Sequence, residues 1–347
     1  MRRPNPIRVL VADDSATMRN ALITIFAQEQ DLRVVGEARD GFEAVEKARE
    51  LRPDVITMDV TMPRLDGIRA TAAIMAEAPA RILMVCAVSE ERQLDLPFRA
   101  MAAGALEVIS KPDPAALEVR GFGRRVAEAV RLMAEVPVVR RQKPRHQPAV
   151  LRFGMRVGGI GLVASTGGPP ALSVVLRSLP CDFPVPVLIA QHIAAGFTAG
   201  LTRWLSEVSA LPLRAARDGE MAEPGRVYFA PDGCDLELAP DGRLHTPRPE
   251  GIHCPSGNRL LQSLARSLGS AAAGVVMTGM GDDGAQGLLA IRQAGGAAFA
   301  QDEATSIVFG MPAAALACGG AETLLPLEDI APMLAGLCAA RRTNRER

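Results

Sequence analysis

The stretch IRVLVADDSATMRNALITIFAQE, residues 7–29, decides the fold of the first third of the chain. An apolar stretch from Ile7 to Ala12, broken only by Arg8, stops on Asp13 and Asp14, and a segment with helical spacing follows. An apolar run of that length reads as a strand buried on both faces. The unit then recurs: LRVVGE, DVITMD, RILMVC and LEVISK read as strands, and GFEAVEKARE, DGIRATAAIMAEA and SEERQLDLPFRAMAAG read as helices between them. This β-α-β repetition predicts an open parallel sheet, a flavodoxin-like doubly wound domain over residues 5–125.

Working outward, the text changes at 134–155. The segment is basic, carries Pro137, Pro144 and Pro148, and has no clean period, which predicts a linker. Strand-helix alternation resumes over 156–345. VGGIGLVAS, VPVLIAQH and AAGVVMTGM are near-continuous apolar runs and predict buried parallel strands of a second α/β sheet. RVYFAPDG, DLELAPDG and GRLHT, punctuated by Pro, Asp and Gly, predict a short hairpin insertion. The ending CAARRTNRER reads as a frayed charged tail.

At 347 residues two domains are expected, and 48% apolar residues suffice for two cores. Lys+Arg and Asp+Glu balance at 39 each, so neither nucleic acid nor an anionic membrane surface is indicated as partner. Aromatic residues at 3% argue against a stacking platform for single strands, and no helix-turn-helix pattern is found. The scattered cysteines, Cys86, Cys181, Cys234, Cys254, Cys318 and Cys338, form no CxxC pair and read as reduced thiols of a cytoplasmic protein. No signal peptide and no membrane-spanning run are expected.

In a doubly wound sheet the carboxyl ends of the strands open on one crevice. Asp13 and Asp14 end the first strand, Asp59 ends the third, and Lys111 follows the fifth. Converging carboxylates repel one another unless a cation lies between them, and oxygen donors select Mg²⁺. A lysine beside them can pair with a phosphoryl group. The motifs VADDSATMR, DVTMPRLDG and SKP resemble those of a two-component receiver domain. That resemblance implies Asp59 as phosphoacceptor, Mg²⁺ ligands from Asp13, Asp14, Asp59 and the Thr61 carbonyl, and Lys111 on the phosphate. Two positions depart from the receiver pattern: Cys86 stands where a Ser or Thr is usual, and Val108 where an aromatic is common.

In the second domain Ser165 ends one apolar run, His192 ends the next, and Asp283 follows the third. Parallel strands would set all three at one sheet edge, where they can form an acyl-transfer triad. Other readings stand beside this one. ASTGG can be a helix cap or a phosphate loop, His192 a core histidine, and Asp282 and Asp283 caps of the next helix. There is no GxSxG elbow, Walker A motif or GxGxxG here.

ASTGGPPAL, QHIAAGFT, APDG, TGMGDDGAQGL and QDEATSIVFGMP together resemble the catalytic domain of the CheB family, the chemotaxis protein-glutamate methylesterases and protein-glutamine glutaminases. A receiver followed by this domain is that family's own order. The resemblance implies a second doubly wound parallel-sheet catalytic domain with Ser165 as nucleophile, His192 as general base and acid, and Asp283 as orienting carboxylate. Thr166 would neighbour the nucleophile, and the Met280 main chain would help an oxyanion hole. It further implies methyl-accepting chemoreceptors as substrate and a histidine kinase as phosphodonor. An unphosphorylated receiver would cover the active site, and the esterase site would need no cofactor. Ala194 and Ala195 replace two prolines usual in the family, and Asn258 replaces a carboxylate. A non-catalytic regulator whose second domain only binds a partner, and a DNA-binding regulator, are the competing classes.

Overall fold

The computed structural model describes residues 5–86, 95–112, 119–135 and 157–339. The linker expected over 134–155 falls mainly outside these residues, as does the tail from 340 on. The chain divides into two compact units, Met1–Gln142 and Lys143–Arg347.

The first unit alternates β1 (Ile7–Ala12), α1 (Ala16–Ala27), β2 (Leu32–Ala38), α2 (Gly41–Leu51), β3 (Val55–Met58), α3 (Gly67–Glu77), β4 (Arg81–Cys86), α4 (Leu96–Ala103), β5 (Glu107–Ser110) and α5 (Val119–Glu135). The strands pair in parallel in the order β2-β1-β3-β4-β5, the expected flavodoxin-like sheet. Val9, Val11, Val55, Leu83 and Val85 lie under Phe26, Phe122, Val126 and Val130, so one face of the sheet is closed by α1 and α5. Short polar side chains start the helices. Ser15 accepts from the Met18 N–H, Asp40 from Phe42 and Glu43, and Asp66 from Arg69, each taking an amide that the helix leaves unpaired.

Ladder bonds continue one residue past the strand ends. The Asp13 N–H donates to the Ala38 carbonyl, Asp59 to Ala12 and Lys111 to Cys86. The backbone therefore fixes Asp13, Asp59 and Lys111 at one edge before any side chain interacts. Beside them the Gly67 N–H donates to the Val60 carbonyl, and a Cβ on Gly67 would fall 1.9 Å from the Asp59 carbonyl oxygen.

The second unit runs β6 (Gly159–Ala164), α6 (Gly168–Ser178), β7 (Val187–Gln191), α7 (Thr198–Ser206), β8 (Leu213–Ala215), β9 (Val227–Phe229), β10 (Glu237–Leu238), β11 (Leu244–His245), α8 (Gly257–Leu268), β12 (Ala272–Val276), α9 (Ala285–Gln293), β13 (Ala297–Gln301), α10 (Met311–Ala317), β14 (Thr323–Leu325) and α11 (Leu327–Ala339). Its main sheet is parallel throughout, in the order β14-β13-β12-β6-β7-β9-β8. The three strands read from sequence, β12, β6 and β7, are neighbours at its centre. The chain leaves β6 in both directions across the sheet, which makes the carboxyl end of β6 the switch-point crevice.

The hairpin reading holds only in part. β10 and β11 pair antiparallel as expected, but VYF joins the main sheet as β9, parallel to β7. Val227, Tyr228 and Phe229 are all buried, and a strand covered on both faces belongs inside a sheet rather than in a surface hairpin. In α8, Leu260, Leu261 and Leu264 pack with Val163, Val276 and Leu288, seating this helix over β6 and β12.

Replacing Gly67 by alanine drives the new methyl into main chain that cannot move without shifting Asp59. Gly67→Ala is expected to destabilise the first unit by about 2 kcal/mol or more. An unchanged urea-unfolding midpoint would show that the β3–α3 turn yields instead.

Candidate active site and acidic pocket

In the first unit Asp13 and Asp59 are buried and Asp14 is exposed, and carboxylate oxygens of the three lie within 4.8 Å of one another. The Lys111 ammonium sits 2.8 Å from Asp13 Oδ2 and 2.8 Å from Asp59 Oδ2. Asp13 Oδ1 accepts from the Ser15 N–H and Asp59 Oδ1 from the Val60 N–H. Burial pushes the Asp59 carboxyl up; Lys111 pulls it back, Asp13 adds repulsion, and it comes to about 6. For Lys111 burial works against the charge, but Asp59 and Asp13 overcome it and hold the ammonium above its ordinary value. Thr61 lies exposed two residues beyond Asp59.

One contributor was assigned no role by the sequence reading, and another was read only as a departure from the receiver pattern. Arg19 on α1 donates to the main-chain carbonyls of Asp13 and Asp14, at 2.9 and 3.1 Å, and so braces the acidic turn. It closes the motif VADDSATMR, about one helical turn after the acids, but nothing in that motif alone says which groups it bonds. Cys86, at the end of β4, is buried, and burial together with the nearby Asp59 charge pushes its thiol up to about 12. It is therefore a protonated thiol, neither a nucleophile nor a strong donor.

In the second unit the register pairs Ala164 with Gln191 on β6 and β7, so Ser165 and His192 follow side by side. The His192 N–H donates to the Ala164 carbonyl, and the Ser165 N–H to the Thr278 carbonyl just beyond β12. The Ser165 carbonyl accepts from the Gly168 N–H and from Gln191 Nε2, and Gln191 Nε2 also donates to the His192 carbonyl at 2.9 Å. The Gln191 amide thus ties the two residues together, a role the sequence reading did not assign. Gly167 holds φ +76°, which a side chain would strain, and a Cβ on Gly168 would meet Gln191 Oε1 at 2.0 Å. The turn after Ser165 needs both glycines, and α6 begins directly behind it.

Asp283 is 1% exposed. Its Oδ2 lies 2.8 Å from His192 Nε2 and accepts from the Gly257 N–H at 2.6 Å. Its Oδ1 accepts from the N–H groups of Asn258 and Gly284, and from Ser256 Oγ. Burial alone would disfavour the carboxylate, but the His192 bond and the Asn258 and Gly257 amides outweigh it and hold this carboxyl below its ordinary value. The capping alternative is thus partly realised, with a different helix: Asp283 accepts from the first turn of α8, not of α9. Asn258, which departs from the family pattern, accepts from the Gly287 N–H of α9 through Oδ1 at 2.8 Å, so its amide oxygen serves as acceptor there.

Thr166 is buried and its carbonyl accepts from Thr278 Oγ1 at 3.0 Å. Met280 is largely exposed beside Gly279, where a Cβ would come within 2.6 Å of Ser165 Cβ. The His253 ring stacks on His192, centroids 5.3 Å apart and planes within 5°. His192, His253 and Asp283 bring ligand-type atoms within 4.8 Å, but lone pairs in two parallel ring planes do not converge on one point. The arrangement suits proton transfer: a buried carboxylate fixes one imidazole nitrogen and leaves the other for a neighbouring hydroxyl.

The acidic pocket gives a pH-dependent prediction. With a folded-state value near 6 against an ordinary 3.8, Asp59 holds its proton more tightly folded than unfolded. The stability it contributes is complete below the ordinary value and is lost as pH rises through about 6. Without divalent cation, Asp59→Asn is therefore expected to stabilise the chain at pH 8 by on the order of 2 kcal/mol, and much less at pH 4. Thermal melts in chelator at the two pH values check this, and an equal difference at both would contradict it.

Two families match the chain: the description "CheB methylesterase" over residues 160–334 and "Response regulator receiver domain" over 9–120. A Myxococcus xanthus protein named protein-glutamate methylesterase/protein-glutamine glutaminase 3 is 54% identical, covering 96% of this chain and 94% of that one. An Anaeromyxobacter dehalogenans protein named protein-glutamate methylesterase/protein-glutamine glutaminase 2 is 45% identical over 94% of this chain and 95% of its own. The crystal structure of the Thermotoga maritima CheB methylesterase catalytic domain matches at 34% identity and a TM-score of 0.51, covering 52% of this chain and 98% of that one. A parallel sheet whose switch point carries Ser165, His192 and Asp283, preceded by a receiver fold, is in keeping with all of these: the chain belongs to the CheB methylesterase family.

Proposed function

We propose that this chain is a phosphorylation-activated hydrolase. It would remove methyl groups from glutamate methyl esters of chemoreceptors, and deamidate receptor glutamines to glutamate, in chemotactic adaptation. The domains on this reading are a receiver over 5–125, a linker over 134–155 and a catalytic domain over 156–345. The supporting observation is the 2.8 Å bond between His192 Nε2 and the buried Asp283, beside a serine held in register on the adjacent strand.

The chemistry follows from that bond. Asp283 occupies Nε2, so Nδ1 is the nitrogen left to take the Ser165 proton. Ser165 Oγ attacks the ester carbonyl, and Asp283 stabilises the imidazolium that forms. His192 then returns the proton to the departing methoxide, and methanol leaves. Water, deprotonated by the same nitrogen, attacks the acyl-serine and releases glutamate. With glutamine the leaving group is ammonia. The Met280 main chain is the proposed oxyanion donor, with Thr166 beside the nucleophile.

In the receiver, Asp59 is the proposed phosphoacceptor and Lys111 the cation that meets the incoming phosphoryl oxygens. Three carboxylate side chains against one ammonium leave excess negative charge on hard oxygen donors, which fits Mg²⁺. Asp13, Asp14, Asp59 and the Thr61 carbonyl would hold it. Bound there, the cation would neutralise charge on the phosphoryl group during transfer. A chemotaxis histidine kinase is the proposed donor and the cytoplasm the proposed location. Among the described residues no helix is long and apolar enough to cross a membrane.

Methanol release from methylated receptor membranes, with and without a small-molecule phosphodonor, tests this reading. Ser165→Ala is expected to lose about 10³-fold or more in rate, and a variant that still released methanol at the parent rate would sink the nucleophile assignment. Asp59→Asn should keep basal activity and lose stimulation by phosphodonor; equal stimulation of variant and parent would place the gate elsewhere. Cys86→Ser restores a hydroxyl donor and is expected to keep or increase stimulation, whereas a clear loss would give the thiol a role of its own.

A further inference from the structure

Four histidines occur in the chain, and two of them stack with parallel rings at the proposed active site. The bond to Asp283 leaves His192 incompletely held. Histidine χ2 is a broad torsion with no deep staggered wells. Nε2 lies nearer the Cβ–Cγ axis than Nδ1 does. A hydrogen bond at Nε2 therefore tolerates a twist about that axis, and the twist swings Nδ1, the nitrogen that must meet Ser165, through the larger arc. A flat group against the ring face opposes that motion.

We propose that His253 is a positioning residue that locks the ring plane of His192 for proton transfer. The inference rests on the esterase reading above. Its geometry, 5.3 Å between centroids and 5° between planes, lies within the offset-stacked range of aromatic pairs. His253 is partly buried, and the segment that follows it is tied to the same carboxylate that holds His192. Three residues on, Ser256 Oγ and the N–H groups of Gly257 and Asn258 all bond Asp283. From the other side, Asp235 Oδ1 accepts the Ser256 N–H at 2.7 Å. One buried acid thus sets the Nε2 end of His192 directly and anchors the segment that presents the stacking ring.

The test compares His253→Ala with His253→Phe in the full-length phosphodonor-activated chain, using methanol release and the ring ¹⁵N and ¹H resonances of His192. His253→Ala is expected to lower kcat about tenfold with KM nearly unchanged, and to broaden the His192 ring signals as the ring begins to twist. His253→Phe keeps a flat face and should retain kcat within about threefold of the parent. The proposal is overturned if His253→Ala keeps the parent kcat, or if phenylalanine rescues no more than alanine does. A parent that releases no methanol would refute the esterase reading instead. The His192 ring signals then decide this one: broadening in His253→Ala supports it, and unchanged signals overturn it.

Discussion

The second unit is organised around one buried carboxylate. Asp283 lies where sheet, helix and loop meet, and it stays ionised only because every oxygen is engaged. His192, the first amides of α8, and its own neighbour Gly284 all contribute. A buried carboxylate left without such partners would be strongly disfavoured, so the charge and the local fold depend on each other. The N-terminus of α8 carries positive partial charge and stabilises the anion. The anion in turn fixes where α8 begins over β6 and β12, and so where Ser256 and the segment before it lie. The orientation of His192 and the placement of α8 are one interaction seen from two sides.

The first unit uses the same architecture for an opposite electrostatic end. Its strand-end acids are underpaired: a single ammonium faces Asp13 and Asp59, and Asp59 is held up near 6. Asp283 is driven down by its partners, whereas Asp59 is driven up by burial and a like charge. A carboxylate that relaxes on receiving a cation or a phosphoryl group suits a switch, and one that is already satisfied suits a fixed orienting group. Cys86 sits beside this pocket as a protonated thiol, so the donor that a hydroxyl would supply at that position is weak.

Most of the architecture was legible in the residues, for physical reasons. Strands buried on both faces read as near-continuous apolar runs, which is why β6, β7 and β12 stand out, and β1 with its single Arg8. The parallel crossover rule then sends their carboxyl ends to one edge, which brings Ser165 beside His192 and Asp59 beside Lys111. What escaped has equally plain causes. β8 and β14 are short edge strands, and β9 hides among turn residues that suggested a hairpin. Asp283 was legible as a helix cap, but α9 follows it in sequence while α8 receives it in space. Gln191 looked like the polar end of a strand, and its hydrogen bonds to the Ser165 and His192 carbonyls emerge only once β6 and β7 are side by side. His253 lay in turn-rich text, where nothing local signals a partner some sixty residues earlier. Long-range pairing of single polar side chains leaves no periodic trace.

The central claim is that the Asp283 carboxylate makes His192 a base toward Ser165. Asp283→Asn tests it most directly, because the amide keeps the shape and an acceptor for α8 but can offer His192 the wrong partner atom. The phosphodonor-activated variant is expected to melt below the parent, because the amide nitrogen then faces a buried N–H such as that of Gly257, and, while folded, to release methanol with kcat about 10³- to 10⁴-fold lower. A folded Asp283→Asn variant that turned over at the parent rate would contradict it.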